Sequence, residues 1–252
     1  MLILLTNDDG IEAPGLSALA NQLTQLGQVL VVAPETEQSA RGHAITMHEP
    51  LRVHGRGPGR FGVTGTPVDC VYIGLHHLCE RPPDLVVSGI NRGTNLGDDV
   101  HYSGTVAAAR EASLRSVPAL AVSMDTPSGR RDRDRHWDSA ARLAVHVARM
   151  ALANPMPPQC VLNLNVPDVP GDQLTQLHVT RLGRREYTPK VQVKRDPRGR
   201  EYYWIGGDHR SFCEEEGTDG YWFSRGHPTL TPISTDATAP GMVEAISQWK
   251  SP

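Results

Sequence analysis

Met1–Gly15 reads MLILLTNDDGIEAPG, and the fold turns on this stretch. Leu2 to Thr6 run without a charge and stop at Asn7-Asp8-Asp9-Gly10. A short apolar run closed by turn residues is the pattern of a strand buried on both faces, as in a parallel sheet. Beyond it Leu16, Leu19, Ala20, Leu23 and Leu26 fall at helical spacing, with Pro14 near the start and Gly27 past the end. Asp8 and Asp9 are thereby placed at the carboxyl end of a first parallel strand, just before a crossover helix. Open α/β sheets bind ligands at that edge. Adjacent carboxylates there repel each other, and a hard divalent cation between them would relieve the repulsion. The competing reading is a solvated Asn-Asp-Asp-Gly turn, and this stretch alone does not choose between the two.

Working outward, Val29–Ala33 is a second strand broken by Pro34, followed by the polar loop Glu35–Gly42. His43–Arg60, rich in Gly, His and Pro, reads as short strands or loop. Thr66–Leu78 carries Val68, Val71, Tyr72, Leu75 and Leu78 on one helical face. Asp84–Ser88 is the third strand, running into the loop Gly89–Asn95. Ser103–Arg115 is a helix and Pro118–Ser123 a fourth strand. The mixed charges of Thr126–His136 form a solvated loop. Asp138 caps a long amphipathic helix, Ser139–Ala153, and Val161–Asn165 is a fifth strand stopped by Pro167. This alternation predicts an α/β fold with a doubly wound, mainly parallel sheet.

After that the character changes. His178–Leu182 looks like a strand. Lys190–Lys194 and Glu201–Ile205 flank Asp196-Pro197-Arg198-Gly199, with Pro at the second position of a type I turn, and form a β-hairpin. Thr229–Ile233 adds a last strand and Met242–Trp249 a closing helix. We expect a core over residues 1–170 and a hairpin-and-helix extension over 171–252, packed on the core as one functional unit and serving oligomerisation.

The composition excludes several classes. A chain of 252 residues with 38% hydrophobic and 21% charged residues reads as a globular protein, and a net charge of −3 gives no general attraction to nucleic acid or anionic membranes. Cys70, Cys79, Cys160 and Cys213 are scattered without a CxxC pair and, with no secretory signal, read as reduced thiols of a cytoplasmic protein. No apolar run approaches the ~20 residues that span a bilayer.

Three strand ends carry oxygen-bearing side chains: Asp8 and Asp9, then Ser39, then Asn91. In a parallel sheet these ends share one edge, so the groups can converge. Carboxylate, hydroxyl and amide oxygens suit Mg²⁺, Mn²⁺ or Ca²⁺, and the absence of Cys or His from the set argues against structural zinc. The run Tyr102-Ser103-Gly104-Thr105 opens a helix whose amides and hydroxyls, with Asn95, offer an anion site; the plainer alternative is that Ser103 only caps the helix. His43 and His48 lie near the Ser39 loop as candidate helpers. The only GxGxxG, Gly57 to Gly62, opens no helix, and neither GxxxxGK[ST] nor GxSxG occurs.

The segments ILLTNDDG, PETEQSARGHAIT, TGTPVDCVYIG and DLVVSGINRGTNLGDDVHYSGTVAAAREA, with PALAVS, LNLNVPD and DPRGREYYWIG, together resemble the SurE family of survival-protein phosphatases across most of the chain. Only 226–229 departs from the family's pattern. The resemblance implies a Rossmann-like core and a divalent-metal-dependent 5′-nucleotidase acting on nucleoside monophosphates, with some activity on 3′-monophosphates and polyphosphate. It implies one cation per subunit, Mg or Mn with Ca or Co as alternatives, held by Asp8, Asp9, Ser39 and Asn91. Phosphate would be held by Asn95, Ser103, Gly104 and Thr105, and catalysis carried by Asp8, Asp9, Asn95 and Ser103. It also implies a homo-oligomer, dimer or tetramer, built through C-terminal arms. The rival reading is a regulatory module that binds nucleotide in the same pocket without turnover.

Overall fold

The computed structural model describes residues 1–127, 129–187, 190–206 and 209–249. The strands and helices run β1 (Leu2–Thr6), α1 (Pro14–Leu23), β2 (Gln28–Pro34), β3 (Val53–Gly55), β4 (Arg60–Val63), α2 (Pro67–Ile73), β5 (Leu85–Arg92), α3 (Gly104–Leu114), β6 (Ala119–Met124), α4 (Trp137–Ala153) and β7 (Cys160–Val166). Then come β8 (His178–Val179), β9 (Arg185–Tyr187), β10 (Lys190–Arg195), β11 (Glu201–Gly206), β12 (His209–Phe212), α5 (Asp219–Phe223), β13 (Thr229–Ser234) and α6 (Met242–Ser247). Nine of these strands form one sheet in the order β3-β4-β2-β1-β5-β6-β7-β13-β8.

The six strands from β4 to β7 in that order pair in parallel. Numbered by their own succession in the chain, they lie 3-2-1-4-5-6, the doubly wound arrangement whose switch point falls between the first strand and the fourth. Here that crevice lies between β1 and β5, whose carboxyl ends carry Asp8 and Asn91. Both faces of the sheet are dry. One packs Ile3, Leu5, Val87, Leu120 and Val122 beneath α1 and α4; the other packs Leu2, Leu4, Val86, Ala119 and Ala121 beneath α2 and α3. The fold is the α/β, mainly parallel sheet that the alternation predicts.

Several boundaries differ from the sequence reading. The third parallel strand is β4, at the end of and just past the glycine-rich stretch read as short strands or loop, so Asp84–Ser88 begins the fourth. That strand continues to Arg92, which puts Asn91 on β5 and not in a loop. Gly89 makes this possible: its φ is +139°, and a Cβ there would lie 2.3 Å from the Val122 carbonyl oxygen of β6. Asp138 does not cap α4; the helix begins at Trp137, the cap position is His136, and its amide donates to Asp168 Oδ1 at 2.9 Å. Within the charged segment residues 132–135 are tied down, Arg92 to Asp132 at 2.5 Å and Arg135 to both Asp132 and Asp168.

The C-terminal third also joins the sheet. β13 pairs antiparallel with β7, and β8 pairs with β13. The β10–β11 hairpin has Lys190 opposite Gly206 and Arg195 opposite Glu201, around the Asp196–Gly199 turn. Every residue of both its strands is exposed, including Trp204 at 60% and Ile205 at 94%. No described helix is long and apolar enough to cross a membrane.

Candidate active site

The first-strand turn closes on itself and also opens onto a cavity. Asn7 Nδ2 donates to the Gly10 carbonyl at 2.9 Å, as turn chemistry requires. Asp8 faces a cavity of about 410 Å³ that it shares with Ser39, Asn91, Asn95 and Ser103. Two loops are pinned around it: the Gln38 amide donates to the Asp8 carbonyl at 2.8 Å, and the Gly42 amide to the Tyr102 carbonyl at 3.1 Å. These bonds bring the Ser39 loop from the end of β2 to the end of β1.

Asp8 is 4% exposed, and helix α3 holds its carboxylate. The Thr105 hydroxyl donates to Oδ1 at 2.5 Å and the Thr105 amide to Oδ2 at 3.2 Å. Asp9 lies beside the cavity and accepts the Arg92 amide on Oδ2 at 2.9 Å. Asn91 Nδ2 donates to the Gly93 carbonyl at 2.7 Å, so its carbonyl oxygen is the atom left for a ligand. The Ser39 hydroxyl donates to Glu37 at 2.7 Å. Among the described residues no three His, Cys, Asp or Glu side chains could share one ion. A cation here would draw on two carboxylates and two neutral oxygens, an all-oxygen set that suits Mg²⁺, Mn²⁺ or Ca²⁺.

The anion side is divided. Ser103 is the cap of α3 and accepts the Val106 amide at 3.1 Å, yet it also lines the cavity. Thr105 and Gly104 are fully buried behind Asp8, and the Thr105 hydroxyl and amide are both committed to it. Thr105 is therefore a support of Asp8 in this geometry, where the sequence reading had it on phosphate. His43 is bonded to Glu111 of α3 at 3.1 Å rather than facing the cavity, and His48 is exposed.

The sequence reading missed three groups beside Asn95. Asn165 Oδ1 accepts the Asn95 amide at 2.8 Å, Asn163 and Asn165 both donate to its carbonyl, and Asn95 Nδ2 donates to Ser123 at 2.7 Å. A signal was present: asparagine at alternate positions of VLNLN, within a run otherwise fit for a dry strand. Tyr102, 69% exposed on the cavity rim, was named only as part of the helix opening.

Burial pushes the Asp8 carboxyl up to about 6 from 3.8, and the Asp9 charge adds to this against the Thr105 bonds. Asp9 is raised as well, by burial, against the Arg92 amide. A carboxyl raised on folding favours the folded chain only while it is protonated there. That contribution is whole below about pH 3.8 and lost as pH rises to about 6. A difference of this size is worth roughly 3 kcal/mol. In EDTA, urea midpoints of the wild type should fall across this window more steeply than those of Asp8→Asn; parallel curves would contradict the burial of an ionisable Asp8.

Residues 3–189 match the family described as Survival protein SurE. The chain is 50% identical over 249 residues to the 5′-nucleotidase SurE of Pelobacter propionicus, covering 99% of each chain. It is 48% identical over 250 residues to the 5′-nucleotidase SurE of Geotalea daltonii, again with 99% of each covered. Among solved structures it resembles the SurE protein of Aquifex aeolicus, at a TM-score of 0.86 and 36% identity, over 98% of both chains.

Proposed function

The chain belongs to the SurE family, and from that premise we propose that it is a 5′-nucleotidase: a divalent-metal-dependent phosphatase releasing phosphate from nucleoside 5′-monophosphates. The observation that carries this reading beyond kinship is the contact between Asp8 and the first turn of α3. It sets a buried carboxylate, fit for a cation, in the same cavity as the Asn95 and Ser103 side chains, fit for a phosphate. Asp8, Asp9, Ser39 and Asn91 are the residues that would hold the cation. When bound, it would act as a Lewis acid on the phosphoryl group and lower the pKa of water.

The rest is work for the chain's own groups. The Asn95 side chain and the Ser103 hydroxyl donate to phosphoryl oxygens, where negative charge grows as the ester bond breaks. Ser103 is suited to this because its oxygen accepts the Val106 amide and its own proton is left to donate. Asp9, with one carboxylate oxygen on the Arg92 amide, has the other to take the proton of the attacking water. Thr105 keeps Asp8 in place.

Phosphate release from AMP with added Mn²⁺ or Mg²⁺ tests the reading and separates it from a module that binds nucleotide without turnover. Turnover should vanish in excess EDTA and return with the ion; a rate unchanged by EDTA would remove the metal from the mechanism. Hydrolysis of 3′-monophosphates and polyphosphate, and a cytoplasmic setting, belong to the same proposal.

We further propose a homo-oligomer, dimer or tetramer, assembled through the extension over 171–252. A hairpin that presents Val191, Val193, Tyr203, Trp204 and Ile205 to water is marginal alone, and such surface marks an interface. Helix α6, later in the same extension, exposes Met242, Val243 and Ile246. Replacing 191–205 with a short Gly-Ser turn should shift the light-scattering mass toward monomer. A wild type that is monomeric at tens of micromolar would defeat the proposal outright.

A further inference from the structure

Asn95 sits in the loop after β5, buried and without a strand to pair with, yet its peptide is satisfied as fully as that of a central strand. The side-chain amide of Asn165 does the pairing. Its Oδ1 accepts the Asn95 N–H at 2.8 Å and its Nδ2 donates to the Asn95 carbonyl at 3.0 Å, one rung of a ladder made by a side chain. Asn163 Nδ2 takes the second lone pair of that carbonyl at 2.9 Å. The Asn95 side chain is fixed in turn by donating to Ser123 Oγ at 2.7 Å.

The three partners form one built feature. Ser123 of β6 stands opposite Asn165 of β7 in the parallel register, and Asn163 lies two residues back on the same face. All three are 0% exposed, on strands otherwise made of alanine, leucine, valine, methionine and one cysteine. Burying polar side chains there costs stability, the more so because Asn163 Oδ1 finds no partner among the described residues, and an apolar strand would pack the core as well. What they supply is the placement of one residue. We infer that Ser123, Asn163 and Asn165 are positioning residues for the phosphatase reaction, setting the Asn95 amide toward the phosphoryl group. This rests on the reading of Asn95 as a substrate contact.

The test is a double-mutant cycle on the full chain, with AMP and Mn²⁺, reading kcat, KM and the melting temperature. Asn165→Ala and Ser123→Ala should each lower kcat by about 10- to 100-fold, the usual effect of removing a support from a site group. KM should move little. In an Asn95→Ala background neither should lower kcat further, while Asn165→Ala, whose bonds go to the backbone of residue 95, lowers the melting temperature by the same amount in both backgrounds. That split separates positioning from mere support of the fold, which would lower both readouts regardless of Asn95. Ser123→Ala removes one oxygen and remains decisive where Asn165→Ala fails to fold. Losses that multiply in the Asn95→Ala background, or single variants with wild-type kcat, overturn the positioning role and leave the function standing. Wild-type turnover in Asn95→Ala overturns it by a different route, by striking Asn95 from the substrate contacts. A wild-type chain without phosphatase activity overturns the functional reading and this inference together.

Discussion

Asp8→Asn should lower kcat for AMP by about 10³-fold at saturating Mn²⁺, the scale seen when one preorganised electrostatic group is removed from a site. The exchange keeps the size and branching of the side chain and removes one negative charge from a site proposed to hold a dication with only two carboxylates. Both Thr105 contacts can persist: the asparagine oxygen accepts the Thr105 amide and its N–H donates to the Thr105 hydroxyl oxygen, which in wild type donates to Oδ1. What the exchange removes is the charge. The mutant should bind Mn²⁺ weakly by calorimetry and keep its circular dichroism, because Asp8 lies at the sheet edge and not among the core side chains. Its melting temperature in EDTA at pH 7 should not fall, since the lost charge was a burden at that pH. Near-normal turnover at saturating ion would show that Asp8 is not a ligand.

The α/β sheet was legible in the sequence, and its strand ends with it, for a physical reason. A buried parallel strand announces itself by an uninterrupted apolar run, as in Leu2–Thr6, and its end by the first polar residues, which are also the residues able to bind. Reading β1 was therefore the same act as finding Asp8. The stretch before Val63 hides its strand because Gly55, Gly57, Gly59 and Gly62 lower β propensity, while pairing with β2 supplies what propensity lacks. Without β4 the strand order, and so the switch point, could not be deduced. The end of β5 was cut short for a related reason. Gly89 looks like a turn residue, but it is there because no side chain fits beneath Val122.

Roles within the site were less legible than membership. Spacing brought Thr105 to the right helix end but could not say whether its hydroxyl faced a ligand or a neighbour, because that depends on a contact across 97 residues. Asn163 and Asn165 were read only as strand, since alternation says which side chains share a face and nothing about what that face meets. Asp219 shows the same blindness. Its buried carboxylate accepts the amides of Gly97 and Gly183, tying the far end of the Asn95 loop to the C-terminal segment, and no local pattern around it gives a hint.

Gly104→Ala should also be damaging, though less so than Asp8→Asn, even as it adds only one methyl group and touches no charge. Alanine is a better helix former than glycine, so on propensity alone the change would stabilise the first turn of α3. Packing reverses that. A Cβ on residue 104 would stand 2.9 Å from both Cβ and Oδ2 of Asp8, and the stem of a strand-end side chain cannot swing aside as a flexible tip can. Either the helix start retreats from β1 or the Asp8 carboxylate is turned away from Thr105; both break the contact that places the cation site against the phosphate site. Overpacking of this kind costs about 1–3 kcal/mol, and a misplacement near 1 Å costs about 100-fold in rate. We expect kcat for AMP to fall by that order, weaker Mn²⁺ binding in calorimetry, and a lower melting temperature. The drop in melting temperature distinguishes this variant from Asp8→Asn, which loses the charge without the clash. A Gly104→Ala enzyme with wild-type turnover and wild-type stability would mean that α3 does not approach Asp8 as closely as the geometry requires.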